Sequence, residues 1–149
     1  MNIEHIEMNQ FKRIYSILLN IESYYIPKLS EQVNNIGNYA KKLAINAETF
    51  ILLDNGKDIG ILSVYCNDIK KNIAYITTLG IHGDYNGKGF SNELLNYVLN
   101  YIKMIGFHFI NLEVNKSNKR AIQFYEKNKF YIIEQKINSN VMQFLLNPS

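Results

Sequence analysis

The residues LGIHGDYNGKGFS at positions 79–91 lie between a strand-like run and a long amphipathic run, and they carry the most specific chemistry in the chain. A glycine-containing turn that opens a helix gathers unpaired backbone N–H groups and the positive end of the helix dipole in one concave place, which suits a pyrophosphate. Gly87 and Gly89 let the backbone approach an anion closely, and Lys88 adds a cation whose side chain can equally face solvent. Such a turn also forms for conformational reasons alone. Two other phosphate loops are excluded: no GxxxxGK[ST] run is present, and GxGxxG fails because Asn92 stands at its last glycine.

The remaining reactive residue types are sparse. Cys66 is the one cysteine, so an intramolecular disulfide framework and a cysteine-clustered zinc site are excluded. It falls in a strand, where a buried and inert thiol is the default reading. His82 adjoins the phosphate turn, and imidazole is the side chain best matched to proton transfer near neutral pH, although a surface turn residue is the commoner role. No metal is expected. Tyrosine is abundant, with 11 residues, but so are Lys, Asn and Ile, while Arg13 and Arg120 are the only arginines. An AT-rich coding sequence accounts for that bias, so only position gives an individual tyrosine weight.

Hydrophobic periodicity supplies the elements that must hold the turn. Phe11, Ile14, Ile17, Leu18 and Ile21 are spaced for a helix that stops before Pro27, and a second helix is expected over residues 33–47. Between them SYYIPKLSEQ reads as a pocket-lining loop or as a simple turn. The runs ETFILLD, DIGILSVYC and NIAYITTLGI, separated by short turns at residues 54–57 and 67–72, read as an antiparallel meander. After Gly89 the period becomes helical through Phe90, Leu94, Leu95, Val98, Ile102 and Ile105, with Gly106 at the C-terminal cap. FHFINLEV, SNKRAIQFYEKN, FYIIEQ and VMQFLL then read as strand, helix, strand and strand, which adds a parallel, right-handed strand-helix-strand crossover.

At this point the sequence resembles the GNAT superfamily of N-acetyltransferases. Their signature is Gln or Arg, two residues, Gly, one residue, then Gly or Ala, between a strand and a helix. Asn86, Gly89 and Ser91 stand at those positions; Gly89 agrees and the other two depart from the pattern. A second block, LEVNKSNKRAIQFYEKNKF, resembles the family's later motif through Asn118, Ala121, Tyr125, Lys127 and Phe130, with Lys129 where glycine normally precedes the phenylalanine. The likeness covers roughly residues 50–144 well and the N-terminal third by helix count alone. It implies an α/β (α+β) fold: a mixed, mostly antiparallel sheet, the parallel crossover at the cofactor cleft, and helices on both faces.

The resemblance also implies roles. Acetyl-CoA would be the acetyl-donor cosubstrate. Its pantetheine arm would lie beside Leu79 and Ile81, with the Leu79 N–H on the thioester carbonyl, and backbone from Asn86 through Gly87, Lys88, Gly89, Phe90 and Ser91 would hold the pyrophosphate. Asn118 would contact the arm, and Tyr125 would protonate the departing thiolate. On its residues alone, a tyrosine on an apolar helical face reads more readily as core. The base that deprotonates the attacking amine is not identified by sequence; Glu113 is the candidate, directly or through a water, with Glu31 and Asp68 weaker candidates for holding a cationic acceptor. Acceptor selectivity is expected in residues 24–32, through Tyr25, Ser30 and Glu31. The PKLSEQVN text resembles family members associated with surface polysaccharide biosynthesis, which points to a small-molecule primary amine such as a nucleotide-linked amino sugar. A protein amino group and a non-catalytic CoA-binding module are the alternatives.

The 149 residues, 17.4 kDa and 47% hydrophobic content imply one domain with a sizeable core. The net charge of +3 is spread along the chain, so a nucleic-acid surface is not expected. No apolar stretch reaches membrane-spanning length and no signal-peptide pattern opens the chain, so a cytoplasmic protein without a membrane partner is expected. The resemblance implies pairing into a homodimer through the C-terminal strands, here around residues 141–146.

Overall fold

The computed structural model describes residues 1–68 and 70–148. Its strands are β1 (Asn2–Ile6), β2 (Glu48–Asp54), β3 (Lys57–Tyr65), β4 (Ile73–Ile81), β5 (Phe109–Asn115), β6 (Tyr131–Gln135) and β7 (Ser139–Leu145). They form one sheet in the order β1-β2-β3-β4-β5-β7-β6. Every neighbouring pair is antiparallel except β4–β5, which is parallel as the strand-helix-strand pattern requires. The helices are α1 (Phe11–Ile21), α2 (Leu29–Gln32), α3 (Ile36–Asn46), α4 (Phe90–Met104) and α5 (Lys119–Lys127). The mixed, mostly antiparallel sheet with helices on both faces is the fold expected from the sequence.

Two cores flank the sheet. On one face Ile14, Ile17, Leu18 and Ile21 of α1 and Ala40, Leu43 and Ala44 of α3 pack on Ile51 and Ile61. On the other, Leu94, Leu95, Val98, Leu99 and Ile102 of α4 and Tyr125 of α5 pack on Leu62, Val64, Ala74, Ile76 and Leu112. Each fully buried Leu or Ile contributes roughly 1.5–3 kcal/mol, so apolar stripes at helical spacing settle which face each helix presents. Helix α3 begins later than residue 33, because Val33 is extended and Asn35 caps the helix by accepting from the Asn38 N–H at 2.8 Å. The expected loop also contains α2, and β1 forms at the sheet edge where no strand was foreseen. In β1 only Ile6 is buried, so its sequence lacks the clear alternation of a half-buried strand. The turn over residues 67–72 includes Ile69, outside the described residues; at its start Asp68 accepts from the N–H groups of Lys70, Asn72 and Ile73.

Two departures from regular pairing in β4 shape the molecule. Opposite β3, Thr78 pairs with Ser63 and Ile76 with Val64, so Thr77 is an extra, bulged residue. The bulge changes the phase of alternation. Ala74 and Ile76 face the α4/α5 core before it, and Leu79 and Ile81 face the same core after it. On the other side, parallel pairing with β5 runs from Ile73–Phe109 to Ile76–Leu112 and stops, although β4 continues to Ile81 and β5 to Asn115. The two strands separate beyond that point and leave a cleft between them.

Candidate active site

The cleft has a volume of about 640 Å³ and is lined by the ends of β4 and β5, the turn before α4, the first turns of α4 and α5, and residues of the α1–α2 loop. Its floor is backbone. The His82 N–H bonds the Ile59 carbonyl of β3 at 2.8 Å, so by strand alternation the N–H groups of Leu79 and Ile81 point the other way, into the gap that β5 leaves. The resemblance places an acyl thioester and its arm at these two residues.

The phosphate turn is built as its glycines demand. Gly87 and Gly89 have φ of 76° and 80°, and Gly89 is the N-cap of α4. A Cβ at either glycine would meet nothing within 4 Å, so positive φ rather than crowding calls for glycine there. No side chain caps this helix, and the first intrahelical bond is donated by Glu93 to the Gly89 carbonyl at 3.1 Å. The backbone N–H groups of Phe90, Ser91 and Asn92 are therefore left for a ligand, as the first turn of any helix leaves them. Asn86, Gly87, Gly89, Phe90 and Ser91 line the cleft, whereas the Lys88 ammonium lies over the Tyr85 ring at 5.7 Å.

Tyr125 is 9% exposed and reaches the cleft from α5. Burial raises the pKa of its phenol, and no hydrogen-bond partner for the hydroxyl is found among the described residues. Tyr125 is thus both a core residue, packed edge-on against Phe124 and Phe130, and a residue of the cleft lining. Asn118 caps α5 by accepting from the Ala121 N–H at 3.1 Å, and its amide nitrogen reaches the Ile26 carbonyl of the α1–α2 loop at 3.5 Å. Across the mouth, the Asn128 amide donates to Asn92 Oδ1 at 2.9 Å and joins α5 to α4.

Glu113 lines the cleft from β5, on the opposite face of that strand from the core residues Leu112 and Val114. Its carboxylate accepts from Ser139 Oγ at 2.6 Å and Lys136 Nζ at 3.2 Å, and the Ser139 bond is the main reason its pKa lies below the usual carboxylate range. It stays ionised, and it is a weaker base than a free carboxylate.

The α1–α2 loop covers the other side. Tyr25 is hydrogen-bonded to Thr78 Oγ1, and its ring lies so close to Gly80 that a Cβ there would stand 2.6 Å from the phenol oxygen. Tyr24 occupies in the same way the space where a Gly83 side chain would lie. Neither glycine has positive φ; each keeps room for a tyrosine. Glycine inside a strand run is the sequence sign of such an approach, with nothing in the run to say which residue approaches. Tyr39 of α3 adds a bond to Thr77 Oγ1 at 2.6 Å and contacts the Thr77 carbonyl at 3.1 Å, which holds the bulge.

Several expected acceptor residues lie elsewhere. Ser30 donates to Glu22 through both its N–H and its hydroxyl, and neither it nor Glu31 lines the cleft; Gln32 and Ile26 do. His82 accepts from the Asp84 N–H at 3.2 Å and so caps a short turn, outside the cleft lining, as a surface turn residue would. Asp68 and Cys66 border a separate cavity of about 450 Å³, and burial pushes the Cys66 thiol up to about 12. Arg120, which had no assigned role, lines the cleft mouth. Among the described residues no helix is long and apolar enough to cross a membrane, and no group of three His, Cys, Asp or Glu could hold a metal ion.

Comparison with known proteins gives the family and the fold. The profile of the acetyltransferase (GNAT) family matches residues 11–130. N-alpha-acetyltransferase 50 of Danio rerio is 34% identical over 135 residues, which cover 88% of this chain and 73% of that protein. Among solved structures, the ribosomal-protein-S18-alanine N-acetyltransferase of Escherichia coli superposes with a TM-score of 0.79 at 18% identity, covering 99% of this chain and 95% of that one. The PaiA N-acetyltransferase of Thermoplasma acidophilum, solved in complex with coenzyme A, gives 0.77 at 16% identity, covering 97% and 98%. At these identities the solved structures share the fold.

Proposed function

The chain belongs to the GNAT family of acetyltransferases, and on that premise we propose that it transfers the acetyl group of acetyl-CoA to a primary amine by direct attack in a ternary complex. The observation that carries this reading is the meeting, in one cleft, of the unpaired backbone of β4, the uncapped start of α4 and the open hydroxyl of Tyr125. Acetyl-CoA supplies an activated acyl thioester. The chain supplies what surrounds it. Backbone N–H groups from Gly87 to Ser91 hold the pyrophosphate, and Arg120 at the mouth adds a cation for the cofactor's phosphates. The Leu79 N–H donates to the carbonyl oxygen as negative charge develops, a role whose removal costs about a hundredfold or more.

Tyr125 gives its proton to the departing sulfur. Burial keeps the phenol protonated at neutral pH, and the same exclusion of water raises the basicity of the thiolate, so donor and acceptor shift together. Asn118 holds the start of α5 against the loop and borders the arm. On the acceptor side, Tyr25 shapes the entrance and the ionised Glu113 attracts the incoming ammonium and receives its proton through water.

For the acceptor, the enclosure of the cleft by Tyr24 and Tyr25 favours a small-molecule primary amine, for which a nucleotide-linked amino sugar is one chemical example. A second reading, a protein's terminal amino group, is favoured by the likeness to N-alpha-acetyltransferase 50. The test is release of free thiol from acetyl-CoA over a panel of amino sugars, polyamines and short peptides with free amino termini. Turnover confined to small amines supports the first reading, and turnover confined to peptides supports the second. Binding of acetyl-CoA with no turnover on any amine would make the protein a CoA-binding module.

A further inference from the structure

Tyr25 stands in a position that the transfer reaction does not by itself require. Its hydroxyl is bonded to Thr78 and its ring rests on the α-carbon of Gly80, so it bridges the two residues on either side of Leu79. Leu79 turns its side chain to the opposite core and its N–H into the cleft. An acyl carbonyl held on that N–H therefore has the Tyr25 ring as its wall on the α1/α3 face and Tyr125 on the α4/α5 face. The Tyr25 ring is fixed by the loop that carries it: the neighbouring Tyr24 is seated against Gly83, and the Ile26 carbonyl is in reach of Asn118. A wall pinned at its hydroxyl, its ring face and both flanking residues has little freedom to move aside.

We propose that Tyr25 is the specificity-determining residue for the acyl group: it closes the space beyond the acyl carbon and restricts the donor to acetyl-CoA. The inference rests on the proposed acyl transfer at Leu79. Each methylene that an apolar wall admits or rejects changes kcat/KM by about 10- to 200-fold. The bond to Thr78 positions the ring, whereas its bulk sets the limit.

The experiment compares kcat/KM for acetyl-, propionyl- and butyryl-CoA, with the best amine from the acceptor panel, in the wild type and in Tyr25→Phe, Tyr25→Leu and Tyr25→Ala. The wild type should prefer acetyl over propionyl by about ten-fold or more, and Tyr25→Phe should keep that ratio because the ring remains. Tyr25→Leu and Tyr25→Ala should lower the ratio by about ten-fold or more, with butyryl-CoA gaining most in Tyr25→Ala. A wild type that uses butyryl-CoA as well as acetyl-CoA overturns the proposal, even if both small variants fail to fold. So does a folded Tyr25→Leu or Tyr25→Ala with the wild-type ratio. Failure of the underlying reading looks different: the wild type would then turn over none of the three thioesters.

Discussion

The two faces of the sheet meet the cleft by different means. On the α4/α5 face the ligand-facing groups are mostly main chain: the N–H groups of Leu79 and Ile81, and the turn whose Gly87 and Gly89 take positive φ. On the α1/α3 face they are side chains, with Tyr24 and Tyr25 laid on Gly83 and Gly80. Glycine serves conformation on the first face and clearance on the second. A site made of backbone can bind the same phosphates with many side-chain sequences, whereas a wall of side chains changes with each substitution. On the proposed function, the cofactor side would accordingly be general and the acceptor side particular.

Removing chemistry from the cofactor face gives the largest expected effect. Tyr125→Phe keeps the ring packing and deletes the proton, so kcat should fall by about 10²- to 10⁴-fold while the acetyl-CoA dissociation constant, measured by calorimetry, stays near wild type. Unchanged turnover would make Tyr125 a packing residue and strip that face of its one chemical side chain. Next is Gly89→Val. A β-branched residue cannot hold φ of 80° without strain, so the turn relaxes away and rebuilding it on binding costs roughly 1–3 kcal/mol, about 5- to 150-fold in acetyl-CoA affinity.

On the acceptor face, Gly83→Ala pushes Tyr24 aside. That ring is seated on Gly83 but 44% exposed on its other side, so it can shift toward solvent and the low end of the overpacking range applies, near 1 kcal/mol or about five-fold in acceptor KM. Acetyl-CoA affinity should not follow; if it weakens as much as in Gly89→Val, the division between the faces fails. The smallest effect is electrostatic. The Glu113 carboxyl has a pKa below its unfolded value, so its contribution to stability is present above the ordinary carboxylate range and is lost as pH falls through the depressed folded value. Because the Glu113–Lys136 pair is largely exposed, denaturant melts of Glu113→Gln against wild type should differ by less than about 1 kcal/mol at neutral pH and converge in acid.

The same contrast explains what could be read from the sequence. The phosphate turn was legible because positive φ favours glycine, and α4 because five buried residues repeat at helical spacing. Tyr125 was legible through its motif. The acceptor side was not, because its determinants pair residues far apart in the chain: Tyr25 with Gly80, Tyr24 with Gly83, Asn118 with Ile26. Ser30 and Glu31 share the loop with Tyr25 but turn from the cleft, and nothing in a short polar run tells one side from the other. The edge strands mislead in opposite ways. β1 is polar and carries no strand-like alternation, while β6 reads as apolar in Tyr131, Ile132 and Ile133, yet all three are exposed. The bulge was hidden because its residue is one of two adjacent threonines, which suit either face.

That bulge gives the fold a safeguard against drift. If Thr77 took its own place in the ladder, so that no residue bulged, the downstream half of β4 would turn over, sending Leu79 and Ile81 out of the core and Thr78 and Gly80 into it. Losing the buried Ile81 from the interior would cost roughly 1.5–3 kcal/mol, and losing the partly buried Leu79 would add to it, a large part of the stability of a domain this size. The same turnover would swing the Leu79 amide away from the cleft. A pairing in which the bulge is ironed out would therefore cost the fold stability as it misaimed that amide, so the packing of the core by itself keeps the Leu79 N–H in register.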